Sequence, residues 1–390
     1  MNKIFVIYPG FPHYRVGIIE ALINSNHNHY EFLGDKKGYN NVKPYDFKGS
    51  ADFKDFPAYK IGPFYFNKGL IRYVISHKCD GAILHSPPHY ISIIIAALIL
   101  RIKGKKVYNW THGILTNHRN LKNKIYFIFY KYFFDGLLLY GNLAKENLIN
   151  LGFKAERIKV LYNSLNYKEQ IKLRGTLTKK ERENIRLRLF ENPNNDQLVF
   201  IGRLTVQKKL GLLIKAIKLL KDENIFVNLL FVGDGDQRKE LQSQIDEFKI
   251  ANQVCFYGAS YDETLNYKLI SSSECCVAPG EIGLTAMHSL MFGVPVISHN
   301  DRNRQMPEFE AILPNVNGSL FEYDDTVDLK EQIKNVLNLN KAKSNLQMQK
   351  DCYKIMDEYY NPNYQIKLID NLFLSENISA NFVKKKVSNK

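Results

Sequence analysis

The chain alternates two kinds of segment, and it does so in two separate series. In the first, "KIFVIYP" (3–9) is a continuous β-rich run closed by Pro9 and Gly10. "VGIIEALINS" (16–25) then places Ile18, Ile19, Leu22 and Ile23 on one side of a helix. "GAILHSPP" (81–88), "KKVYNWTHG" (105–113), "DGLLLYGN" (135–142) and "IKVLYNS" (158–164) read as further strands, and "LAKENLINLG" as a helix stopped by Gly152. The second series opens at "QLVFIG" and runs through "KLGLLIKAIKLL", "VNLLFVGDG", "QRKELQSQIDEFK", "QVCFYG", "YDETLNYKLISS" and "ECCVAP" to "PVISHN". Apolar strands joined by helices imply parallel sheets covered on both faces. The expected fold class is α/β, with two Rossmann-like doubly wound domains facing a central cleft at the carboxyl ends of their strands.

The boundaries follow from where the alternation stops. Residues 1–165 form the expected N-terminal domain. The polar, basic stretch 166–193 is a connecting segment with a helix around 178–190, and 194–355 is the second domain. A closing helix at 356–375 follows a Pro break, and the tail 376–390 is expected to be disordered and basic.

A chain of 390 residues, 45% hydrophobic and 24% charged, can bury two cores. Its net charge of +15 is uneven: residues 1–165 hold 23 Lys and Arg against 10 Asp and Glu, whereas 194–375 are net negative. Such a basic half suits a polyanion. The helix-like "NLKNKIYFIFYKYFF" (120–134) interleaves Lys122, Lys124 and Lys131 with seven aromatic residues, a mix suited to a membrane interface or to a core. No nucleic-acid fingerprint accompanies it, so an anionic membrane surface met by the basic N-terminal domain is the expected partner, and no nucleic acid. The longest apolar run, at 91–100, is too short to span a bilayer, and the N-terminus reads as a strand rather than a signal peptide. A cytoplasmic protein, peripheral at the inner face of the membrane, is expected. Five cysteines without a C-x-x-C pair suggest neither a disulfide framework nor a zinc site.

The candidate chemistry sits at the ends of strands. In "FIGRLTVQKK", Gly202, Arg203 and Lys208 open the first turn of the second series, and two fixed cations there suit a diphosphate. "VGDG" adds Gly233 and Gly235, which permit close backbone approach. In "APGEIGLTAMHSL", Gly280, Glu281, Ile282, Gly283, Leu284 and Thr285 lead into a helix whose N–H groups can hold a phosphate. Glu308 and Glu310 in "QMPEFEAI" offer carboxylates to ribose hydroxyls. In the first series His112 ends a strand before Gly113, and His13, Tyr14 and Arg15 occupy the first loop, where an acceptor is received and where Arg15 could meet an acceptor phosphate.

The order GRL-x3-K, VG-x-G, F-x-G, PG-x-x-GL, G-x-PVI and E-x7-G resembles the donor-binding domain of glycosyltransferase family 4, of the GT-B fold, over residues 200–322. The first half is similar more loosely, through "FPHYR", "WTHG" and "YNSL", to bacterial enzymes that build lipopolysaccharide and capsule polysaccharide. By that resemblance Arg203 and Lys208 bind the donor diphosphate and, with His112 near the donor sugar, are the catalytic candidates. Glu310 falls on the acidic position of the last motif. The family's two glutamates, separated by seven residues, align with Gly280 and His288. The first is linked to the donor sugar and the second to the nucleotide ribose, which an imidazole can also hydrogen-bond.

The resemblance implies a retaining transferase that moves a hexose or related sugar from a nucleotide-diphosphate-sugar donor to a lipid-linked or oligosaccharide acceptor. Cations and a helix start stand where a metal would act, so no cofactor and metal independence are expected. Two alternatives stay open: a sugar-nucleotide epimerase of the same architecture, and a non-catalytic nucleotide-sugar-binding scaffold attached to the membrane.

Overall fold

The computed structural model describes residues 1–39, 42–50, 52–116 and 120–374; the expected basic tail at 376–390 lies outside them. The chain folds into two units. One takes in residues 1–166 and the segment from 359 onward, the other residues 167–358.

In the first unit the strands are β1 (Asn2–Ile7), β2 (Asn28–Gly34), β3 (Phe53–Asp55), β4 (Ala58–Ile61), β5 (Phe64–Asn67), β6 (Gly81–Leu84), β7 (Lys106–Thr111), β8 (Gly136–Leu139) and β9 (Ile158–Val160). The main sheet has the order β3-β2-β1-β6-β7-β8-β9, and every pairing in it is parallel. β4 and β5 form a separate antiparallel hairpin. Strand order reverses between β1 and β6, so the crevice beyond their carboxyl ends is where such a sheet receives ligands. Helices α1 (Val16–Ile23), α2 (Leu70–Ser76), α3 (Ile91–Ile102), α4 (Leu121–Phe133) and α5 (Asn142–Asn150) join the strands. β6 and β8 are buried along their whole length, as apolar runs covered on both faces must be.

β2 and β3 are absent from the sequence reading. The run "NHYEFLG" carries Glu31 where an apolar residue is expected, yet Glu31 is only 5% exposed because Tyr73 donates a hydrogen bond to it at 2.9 Å and Lys3 pairs with it at 3.1 Å. The helix Pro362–Asn371 returns to this unit rather than closing the second domain. Its Ile369 enters the core beside Ile18, Ile19 and Tyr30, Asp370 accepts from Tyr30 at 2.7 Å and Asn28 at 2.9 Å, and Gln365 accepts from Ser164 at 2.6 Å.

In the second unit, residues 167–189 are not a bare connection. They form α6 (Tyr167–Leu173) and α7 (Lys179–Leu189), the latter started by a Thr178–Glu181 capping box. Arg186 of α7 donates to the Ser272 carbonyl at 2.7 Å and pairs with Glu274, which ties this polar helix to the unit. Strands β10 (Asp196–Ile201), β11 (Val227–Val232), β12 (Val254–Gly258), β13 (Cys275–Ala278), β14 (Val296–His299) and β15 (Gly318–Phe321) form a parallel sheet in the order β12-β11-β10-β13-β14-β15. Its switch point lies between β10 and β13. The intervening helices are α8 (Leu210–Asp222), α9 (Arg238–Glu247), α10 (Glu263–Ser271) and α11 (Leu284–Met291), followed by α12 (Thr326–Ala342) and α13 (Asn345–Glu358). Cys275 and Cys276 are buried in β13, where small apolar side chains fit. Among the described residues no helix is long and apolar enough to cross a membrane.

Candidate functional site

In the second unit three loops leave the carboxyl ends of β11, β10 and β13 and stack against one another. The middle one, residues 202–209, is held on both sides by backbone. Gly202 N–H donates to the Val232 carbonyl at 3.0 Å, Leu204 N–H to the Asp234 carbonyl at 3.0 Å, and Glu281 N–H to the Gln207 carbonyl at 3.1 Å. This packing explains four of the site glycines. A methyl group on Gly233 would sit 1.8 Å from the Gly202 carbonyl oxygen, one on Gly235 2.2 Å from that of Leu204, and one on Gly280 2.0 Å from that of Gln207. Gly202 has a φ of 145°, which side chains rarely adopt. These glycines let the loops touch one another.

The cations then fall into place. Arg203 is exposed at the end of β10 and forms no ion pair among the described residues. Lys208 is half-buried, and its Nζ donates to the Glu281 carbonyl at 2.6 Å. Burial holds its pKa below the ordinary value, opposed by Glu281 and Glu308 and reinforced by the Arg203 charge. Lys208 therefore lies within electrostatic reach of all three. Glu308 is only 3% exposed, whereas Glu310 on the same 3-10 turn (Pro307–Ala311) is half-buried. The motif spacing selects Glu310; the fold brings Glu308 to the lysine, and only its burial reveals that.

Beyond Glu281 the loop enters α11. Ile282 is fully buried and its N–H donates to Gln305 Oε1 at 2.9 Å, so this residue anchors the loop. Thr285 commits its hydroxyl to the Ile201 carbonyl at 2.7 Å. Gly283 caps α11 with no side chain satisfying the first-turn N–H groups, and a methyl group on it would meet nothing within 4 Å. Open space thus lies over a helix start, beside half-buried Leu284, which is where an anion is stabilised. His288, one turn further, turns its buried Nδ1 toward Glu263 Oε2 of α10 at 3.9 Å, and Gln170 of α6 donates to that carboxylate oxygen at 3.1 Å. Burial lowers the His288 pKa and Glu263 opposes it.

In the sequence reading the donor motifs hold no D-x-D pair, but Asp234 and Asp236 flank Gly235 in that spacing. Asp234 accepts from the Gly235 N–H at 2.8 Å, and among the described residues no group of three or more metal-ligating side chains forms.

The first unit gathers a second cluster at its switch point. Arg15 is only 7% exposed, and its guanidinium carbon lies 4.2 Å from the Trp110 ring, 5.0 Å from Tyr8 and 5.9 Å from Tyr140. Burial opposes the charge, but Tyr140, Tyr8 and Tyr14 raise the pKa above its ordinary value. His112 packs on Tyr140 with ring centroids 4.6 Å apart, and Gly113 (φ 71°) makes the turn beyond it. His85, unremarked in the sequence, stands 5.4 Å from the Tyr8 ring and hydrogen-bonds the Trp110 carbonyl through Nδ1 at 3.0 Å. Burial brings His85 to about 4 with Arg15 adding to the fall, and His112 to about 4 by the same two causes. Both rings are neutral at pH 7. His13, by contrast, is tied back through ring and backbone to the Lys43 carbonyl, at 3.0 and 2.9 Å, and Tyr14 packs beside it at 5.9 Å.

Two parallel-sheet, Rossmann-like units of this kind define the GT-B fold. HepE of Anabaena, solved in complex with UDP, superposes with a TM-score of 0.72 over 95% of this chain and 99% of its own, at 17% identity. The same protein has also been solved with UDP and glucose and with UDP-glucose. Residues 181–354, within the second unit, match the family model of Glycosyl transferases group 1. Two uncharacterized glycosyltransferases of Methanocaldococcus jannaschii are similar in sequence. One is 30% identical over 146 residues, 36% of each chain; the other is 26% identical over 246 residues, 59% of this chain and 57% of the relative. The chain thus spans little more than half, or less, of these curated relatives.

Proposed function

We propose that the protein is a retaining glycosyltransferase. It moves a sugar from a nucleoside-diphosphate sugar held by the second unit to a saccharide acceptor on a lipid carrier, in the building of cell-surface polysaccharide at the inner face of the membrane. The observation that carries this reading is the pairing of Arg203 and Lys208 with the uncapped start of α11, at the switch point between β10 and β13. The departing diphosphate gains charge in the transition state, and two cations with a helix N-terminus stabilise that charge without a metal. The group 1 match and the nucleotide held by HepE support the donor assignment.

Membrane attachment rests on α4. Its Tyr126, Phe127, Phe129 and Phe133 pack toward the core, while Leu121, Ile125, Ile128 and Tyr132 form an outward stripe at helical spacing, 53% to 73% exposed. Lys122, Lys124 and Lys131 belong to the same helix. An apolar groove of about 540 Å³, lined by Pro88, Ile94, Leu121, Ile125, Tyr126 and Phe129 among others, runs beside the stripe. Apolar side chains among lysines suit the headgroup boundary of an anionic bilayer.

Calorimetric titration with UDP, GDP, TDP and ADP tests the donor site. One nucleotide is expected to bind, and Arg203→Ala to weaken it by about tenfold or more, the worth of a charge-assisted hydrogen bond. His288→Ala weakens it if the imidazole holds the ribose. Absence of binding by all four would sink the donor assignment, and acceptor-free isomerisation of a nucleotide sugar would favour an epimerase.

A further inference from the structure

The cluster around Arg15 has more hydrogen-bond donors than the protein satisfies. Arg15 forms no ion pair among the described residues, and the groups that act on its charge are phenols. A buried guanidinium without an anion is costly, and stacking on aromatic faces offsets only part of that cost. Three buried atoms on the ends of β6 and β7 also lack a hydrogen-bond partner: Ser86 Oγ, Trp110 Nε1 and His112 Nδ1. The indole N–H can only donate, and the hydroxyl donates readily. Buried polar groups are ordinarily paired, so these three beside a guanidinium with no counter-charge define a site awaiting a polar, negative ligand. The missing partner is acceptor-rich and negative. A carboxylate of the chain does not fill that place.

We propose that Arg15, with the unpartnered polar groups of Ser86, Trp110 and His112, binds the phosphoryl group of the acceptor. This inference rests on the transferase reading and deepens it. A phosphoryl group offers only acceptors, carries one or two negative charges, and matches the fork of a guanidinium. Its source is the phosphate that links an acceptor saccharide to its lipid. Neutral His85 and His112 leave Arg15 as the sole full charge of the cluster, so the site discriminates strongly against neutral ligands.

The test uses the full chain. The protein is first saturated with whichever of the four nucleoside diphosphates binds best, then titrated with inorganic pyrophosphate and with farnesyl diphosphate. Binding to the saturated protein that Arg15→Gln weakens by about tenfold or more, and Arg15→Lys partly keeps, supports the site. No binding of either probe to the saturated protein overturns it. If Arg15→Gln lowers the melting temperature and leaves both titrations unchanged, Arg15 is a stacked structural cation and the proposal falls. Should Arg15→Gln fail to fold, Ser86→Ala decides: a severalfold weaker titration at unchanged stability supports the site, and an unchanged one overturns it. Failure of the transferase reading would show separately, as absent nucleotide binding in the unsubstituted protein.

Discussion

Two glycines of the second unit behave in opposite ways, although both lie in the donor motifs. Gly233 abuts the Gly202 carbonyl at a φ of 154°, so Gly233→Ala is expected to cost about 3 kcal/mol through overlap and backbone strain. Gly283 faces open space at a negative φ, so Gly283→Ala should change stability by less than about 0.5 kcal/mol. The same methyl group stands where a phosphate reaches the start of α11, and nucleotide affinity should fall severalfold. Thermal melts beside calorimetric titrations of the two variants separate the effects; equal loss of stability in both would refute the distinction. Gly280 belongs with Gly233. Its contact with Gln207 and Lys208 means that a glutamate at this position, as the family pattern has it, would displace the lysine loop. What a sequence shows at this scale is residue type and spacing, which sufficed to single out Arg203, Lys208 and the start of α11 as candidates. It does not show that Glu308 rather than Glu310 is buried near Lys208, nor that Arg15 stacks on Trp110 and Tyr140, because those partners are brought together only by the sheet.

At the scale of elements, α4 shows how a helix can serve a core and an outer surface together. Its aromatic residues are divided between the two, and no single amphipathic period could have assigned them. Ile125→Glu combined with Ile128→Glu removes the outward stripe without touching the core face. Co-sedimentation with vesicles rich in anionic lipid should fall severalfold, with nucleotide affinity and melting temperature unchanged; full retention on the vesicles would contradict the membrane reading. Uniformly apolar strands such as β6, β8 and β11 were legible because burial on both faces leaves one composition open to them. β2 was not, since Glu31 is satisfied by Tyr73 and Lys3 from elsewhere in the chain. α7 was legible as a helix within a polar connection, but its attachment to the second unit was not, because it runs through charged groups such as Arg186 and Glu274 instead of an apolar stripe.

For the whole molecule, acid should weaken the first unit through its two neutral histidines. In the unfolded chain both titrate near about 6.5, whereas the fold holds each at about 4. Between those values the unfolded state binds more protons, so the stability present above pH 6.5 is lost as pH falls toward 4. His85→Gln should flatten the decline of melting temperature over that window; an unchanged slope would mean that the ring is already protonated in the fold. The return of Pro362–Asn371 gives the second expectation at this scale. Truncation after Glu358 removes Asp370 from Tyr30 and Asn28 and takes Ile369 out of the core, so calorimetry should show the first unit destabilised and the second still melting cooperatively. The twofold alternation announced two sheets, but a helix following the second series gave no sign of which one it joins. That connectivity also orders events during translation. A ribosome delivers all of residues 167–358 before it delivers the helix that completes the first unit. The half of the protein that is begun first is therefore finished last, and while the nascent chain is made its unfilled face is open to chaperones.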